Sequence, residues 1–147
     1  MKIWLAYKFR GADLETLKKQ LNELVVLLEN NGHEVVTMIS NIQGWNLDTN
    51  VLSKSEAVRQ AYALCKQCDV ALCLFPTDDS SEGRGWDAGY FAGMGKPTIM
   101  AIEQSLSIPY TEALFSENPA NKEWNLPSII RYTTFKDIAN SFPVSTD

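Results

Sequence analysis

The sequence predicts an open three-layer α/β sandwich: a mostly parallel sheet with helices on both faces. Short continuous apolar runs alternate along the chain with segments whose apolar residues recur every three or four positions, the pattern of strands joined by right-handed crossover helices. A length of 147 residues suits one domain and is too short for two separate cores. With 45% hydrophobic and 21% charged residues, the composition is that of a globular chain. Residues 1–147 are therefore expected to fold as a single domain.

Ile3 to Tyr7 is the first expected strand. Leu14, Leu17, Leu21, Leu24, Val25 and Leu28 then share one face of a helix, with Glu15, Lys18, Lys19, Asn22 and Glu23 opposite and Asn30-Asn31-Gly32 as its stop. His33 to Ile39 reads as a second strand. After a polar loop containing Gly44-Trp45-Asn46, Ser53-x-x-Glu56 has the form of a capping box and opens a helix with Ala57, Ala61, Leu64 and Cys68 inward. Asp69 to Phe75, the most apolar run, is expected at the sheet centre. A polar loop, Thr77 to Gly85, precedes a short helix from about Trp86 to Met94, a Gly95-Lys96-Pro97 turn and a fourth strand, Thr98 to Ile102. Ser128 to Tyr132 and Phe135 to Phe142 fit a fifth strand and a closing helix. The stretch from Glu103 to Pro127 has no decided pattern and could form a lid.

Thirteen Lys and Arg against 18 Asp and Glu give a formal charge of −5, which argues against gripping a nucleic-acid polymer but leaves room for a local cation cluster around a small anion. No apolar run reaches the roughly 18 residues of a membrane span. Met1-Lys2-Ile3-Trp4 leads straight into a strand without a signal-like segment, so a cytoplasmic location is expected. Cys65-Lys66-Gln67-Cys68 could be a redox pair. It falls at a helix end, however, whereas reactive pairs sit at helix starts, and buried core cysteines are the simpler reading. Cys73 and His33 add no ligands at zinc spacing, and neither metal nor cofactor is expected.

In such folds ligands collect where strands run into helices. Two loops qualify. Tyr7-Lys8-Phe9-Arg10-Gly11-Ala12-Asp13 brings two cations and a glycine to a helix start, as an anion site or as a solvated turn. Asp78 to Gly85, with Ser80, Ser81, Gly83 and Gly85, could cradle an anion on backbone N–H groups. It leads into Asp87, expected in a first helical turn, where the macrodipole favours the carboxylate. Asp87 is then either a carboxylate aimed at the same pocket or simply a stabiliser of the helix start. Gly89 and Gly93, unfavourable inside a helix, imply that something packs closely on that face. Trp45 and Trp124 are candidate stacking walls for a ring, and Arg84 a further pocket cation.

The order Tyr7-Lys8-Phe9-x-Gly11-x-Asp13, then Cys68-Asp69 opening a strand, then Ser81-Glu82-Gly83 and Gly85-Trp86-Asp87-Ala88-Gly89-Tyr90 ending in Gly95-Lys96-Pro97, resembles the nucleoside 2-deoxyribosyltransferase family, including its deoxynucleoside 5'-monophosphate N-glycosidase branch. The match runs over residues 1 to 102. It implies a flavodoxin-like, five-stranded sheet, a small-molecule nucleotide or nucleoside ligand and a homo-oligomer such as a dimer. It further implies N-glycosidic bond cleavage or transfer, in which Asp87 matches the carboxylate that attacks the anomeric carbon. On the same resemblance Tyr7, Lys8, Phe9, Arg10, Gly11, Ser81, Glu82, Gly83 and Gly85 bind substrate, with Lys8, Arg10, Gly11 and Ser81 at a 5'-phosphate. The chain departs from the pattern twice. Asp87 stands where the family usually carries glutamate, and Ala61 where it usually carries Asp or Asn; Glu56, Arg59, Gln60, Asp78, Asp79 or Glu82 are candidates to replace the latter. Two other readings stay open. One is a nucleotide-binding module on this fold without catalysis; the other, from the similarity of Phe9-Arg10-Gly11-Ala12-Asp13 to the start of TIR domains, is an NAD-cleaving domain.

Overall fold

The computed structural model describes residues 1–8, 11, 13–45, 52–78 and 82–144, with Glu82 described by its backbone alone. Five strands, β1 (Lys2–Ala6), β2 (Glu34–Thr37), β3 (Val70–Phe75), β4 (Thr98–Glu103) and β5 (Ile129–Tyr132), form one sheet in the order β2-β1-β3-β4-β5. Every pairing is parallel. The expected, mostly parallel sheet is thus wholly parallel, and β3 is buried along its full length at its centre.

Crossovers cover both faces. On one, α1 (Leu14–Asn30) and α7 (Phe135–Asn140) pack on Ile3, Leu5, Leu72 and Ile99. On the other, α3 (Lys54–Gln67), α4 (Glu82–Gly93) and α5 (Pro109–Ser116) cover Trp4, Ala6, Cys73 and Met100. The alternation of faces along each strand produces these two cores.

Local chemistry fixes the element ends. Asp13 caps α1 by accepting from the Thr16 N–H at 3.0 Å, and Gly32 leaves the helix at φ +82°. Ser53 caps α3 through the Glu56 N–H at 3.1 Å, while the Glu56 carboxylate turns along the helix to Arg59 and Gln60. Lys96 closes the other end of α3, its ammonium taking the carbonyls of Lys66 at 2.8 Å and Cys68 at 2.5 Å.

Three segments differ from the sequence expectation. The second strand stops at Thr37, because that residue caps a short helix, α2 (Met38–Asn41), through the Ser40 N–H. The fourth helix begins at Glu82 rather than Trp86, so Gly83 and Gly85 are helical. The undecided stretch after Glu103 forms α5 and α6 (Pro119–Glu123), each opened by a proline at its start. Within it, buried Asn121 accepts from the Thr98 N–H at 3.2 Å and donates to the carbonyls of Thr98 at 2.8 Å and Pro127 at 3.1 Å, anchoring α6 to the start of β4.

Candidate functional site

From β1 the chain first adds β2 on one side, then crosses to add β3 on the other, so the switch in winding lies between β1 and β3. Loops diverge there at the carboxyl ends of the strands and leave a crevice. A cavity of about 420 Å³ occupies it. Trp4, Ala6 and Tyr7 of the β1 region form its floor, Met38 of α2 and Val58 and Ala61 of α3 one wall, and Gly83, Trp86 and Asp87 of α4 the other.

Asp87 is the carboxylic acid among the described residues that line this cavity. It lies in the second turn of α4, one turn deeper than expected, where the macrodipole has largely faded. Burial therefore decides its acidity, pushing the carboxyl up to about 7 where the helix-start argument expected a stabilised carboxylate. The indole N–H of Trp4 works in the opposite direction, favouring the ionised form. That N–H is buried, and among the described residues its geometry falls short of a full hydrogen bond. The thiols of Cys65 and Cys73 back the same region; burial first, and then the charge of Asp87, push both up. Burial also lifts Cys68, to about 11, so the C-x-x-C pair consists of buried, unreactive thiols.

The predicted residues divide around Tyr7. Tyr7, Gly83 and Asp87 meet in the cavity. Tyr7 and Lys8 also line a second cleft of about 430 Å³ on the α1/α7 side of the sheet, facing Glu103, Thr133 and Thr134. Tyr7 is partly buried, which raises its phenol, while Thr37 and the Ile39 backbone work in the opposite direction. Gly11 is an exposed turn at φ +77°, a backbone region that favours glycine, and Gly85 is exposed on α4. Phe9, Arg10 and Ser81 lie outside the described residues, as does the side chain of Glu82; the TIR-like start also falls largely there.

Several readings change. Arg84 is not a pocket cation: it is buried, donates to the Leu74 carbonyl at 2.8 Å and stacks 4.0 Å over the Phe75 ring. Among the described residues of this chain, a Cβ at Gly85, Gly89 or Gly93 of α4 would meet no atom within 4 Å. Trp45 packs beside α1 with Lys18 over its ring, Trp124 ends α6, and neither lines the cavity. The aromatic wall is Trp86 instead, stacked on Tyr90 at 5.2 Å, with Tyr62 edge-on to both at 4.9 Å. Glu56, Arg59 and Gln60 bond one another and do not line the cavity. Ala61 does line it.

Solved structures resemble this one over nearly its whole length. A CMP N-glycosidase from Clostridium botulinum, BcmB, is 21% identical, with a TM-score of 0.64 over 95% of this chain and 96% of the other. A 2-deoxyribosyltransferase from Bacillus psychrosaccharolyticus is 18% identical, with a TM-score of 0.67 over 99% and 98%. The fold is shared with nucleoside deoxyribosyltransferases and nucleotide N-glycosidases. A conserved protein from Enterococcus faecalis V583 is also similar in structure, at 12% identity and a TM-score of 0.60 over 95% of each chain. No protein-family profile matches the sequence, and no curated protein matches it.

Proposed function

We propose that this chain cleaves or transfers the N-glycosidic bond of a nucleotide or nucleoside, with Asp87 as the carboxylate nucleophile. The observation that carries the reading is a buried carboxyl of raised pKa, about 7, in a nucleoside-sized cavity at the β1/β3 switch. As the base departs, positive charge builds on the sugar ring. An ionised Asp87 stabilises that charge, then bonds to the anomeric carbon, and water or a second base resolves the ester. Lys8, Gly11, Arg10 and Ser81 are the proposed phosphate side, with Tyr7, Phe9, Glu82, Gly83 and Gly85 completing the substrate contacts of a single domain over residues 1–147. Two of the neighbours named above, the CMP N-glycosidase and the 2-deoxyribosyltransferase, are enzymes of this chemistry, which supports the reading.

Release of free base from nucleosides and nucleoside monophosphates, followed by chromatography, tests it. Activity abolished in Asp87→Ala supports the nucleophile; release unchanged in that variant rules it out. Ala61, in place of a polar residue on the cavity wall, favours a second reading, a nucleotide-binding module without turnover. Binding without base release would establish that reading.

A homo-oligomer and a cytoplasmic location belong to the same proposal. Light scattering of the purified chain tests the first, and localisation of the tagged protein in cells the second. No helix among the described residues is long and apolar enough to cross a membrane.

A further inference from the structure

The wall of the cavity away from the Lys8 loop is apolar. Val58 and Ala61 of α3, Met38 of α2 and Trp86 of α4 form it, and among the described lining residues Asp87 is the acid that faces them. A neutral purine or pyrimidine departs as an anion unless its ring nitrogen is protonated, and a positioned acid typically contributes 10²–10⁴-fold to such a step. Asp87 cannot serve as both nucleophile and acid in one step. Tyr7, the other ionisable group among the described lining residues, is made a weaker acid than usual by burial. The electrostatics of the wall run the same way. A carboxyl sits in apolar surroundings without a cation among the described lining residues, beside an indole face that attracts cations.

We propose that the base side of this cavity selects a nucleoside or nucleotide whose base is a cationic heteroaromatic ring, a pyridinium or an N-alkylated base, over neutral bases. This rests on the N-glycosidic reading above. The cation sits on Trp86 and pairs with Asp87, drawing the proton from the carboxyl as it binds. Asp87 then bonds to the anomeric carbon as the bond to the ring nitrogen breaks. The electron pair of that bond stays on the nitrogen and cancels its charge, so the base leaves neutral and takes no proton. Water cleaves the glycosyl ester, giving free sugar, the carboxylate and one proton.

Two measurements test this. In the first, base release from nicotinamide riboside and its 5'-monophosphate is compared with release from CMP, dCMP and the other neutral nucleotides, each rate divided by its uncatalysed rate. The expected preference for the pyridinium substrates is at least about 100-fold, narrowed about tenfold in Ala61→Asp as neutral bases gain. In the second, binding of 1-methylnicotinamide, a pyridinium cation methylated on the ring nitrogen and without a glycosidic bond, is compared by calorimetry with binding of neutral nicotinamide. The cation binds at least about tenfold tighter, releases protons at pH 7, and loses its advantage in Asp87→Asn. Equal or better release of neutral bases, or equal binding of the two probes, overturns this inference and leaves the N-glycosidic reading standing. Absence of base release from every substrate overturns both.

Discussion

The indole N–H of Trp4 on β1 is buried against the carboxyl of Asp87 on α4, so the first strand and the fourth helix share control of one titration. Burial raises that titration and the indole lowers it, and burial wins by bringing the carboxyl to about 7.

A folded-state value above the ordinary carboxyl range makes Asp87 a source of pH-dependent instability. Below about pH 4 the group is protonated in both states and has no effect; as pH rises to 7 the unfolded chain ionises first, so stability falls. Asp87→Asn removes this loss. The variant is expected to match the parent near pH 4 and to exceed it by about 2 kcal/mol at pH 8, as measured by denaturant unfolding.

The same group sets the rate profile if it is the nucleophile. kcat/KM for base release should climb with pH and level off above about 7. Trp4→Phe removes the donor that favours the carboxylate, so the climb should move to higher pH in that variant. A profile that stays in place in Trp4→Phe would separate the two residues.

Trp86 is partly exposed and stacked on Tyr90, so its loss should cost the fold only about 1 kcal/mol. Its effect should fall on binding instead, with Trp86→Ala raising KM about tenfold while kcat changes little. Steady-state kinetics beside thermal unfolding measure the two.

Asn121 is a structural counterpart at the far end of the sheet. Asn121→Ala breaks three buried hydrogen bonds to Thr98 and Pro127 and should cost about 2–3 kcal/mol in denaturant unfolding without moving the pH profile of the site.

Much of the fold was legible because parallel strands buried on both faces are written as unbroken apolar runs, as in Val70–Phe75. The start of α4 was not: Glu82 to Gly85 carries two glycines and reads as a loop by propensity, and it becomes helical because buried Arg84 ties that turn to Leu74 and Phe75. The stretch from Glu103 to Pro127 had no decided pattern, and the prolines at 109 and 119 each occupy the first turn of a helix there, where a missing N–H costs nothing. In the site, Asp87 stood out through its motif, but its acidity depends on burial, which no residue pattern reports. Val58, Met38 and Trp4 were missed as cavity walls. Val58 lies off the inward stripe of α3 and Met38 in an unexpected helical turn, while Trp4 looks like any strand residue until α4 is placed over it.

The helix that bears Asp87 holds four glycines among its twelve residues, and among the described residues a Cβ at Gly85, Gly89 or Gly93 would meet no neighbour within 4 Å. Each glycine costs a helix interior close to 1 kcal/mol, so α4 opens more readily than the seventeen-residue α1, whose amides should outlast those of α4 in hydrogen exchange. A ligand that bridges β1 and α4 would have to hold this helix closed. Part of its binding energy would then be spent on ordering, and the slowing of amide exchange along α4 would report occupancy even where no turnover occurs.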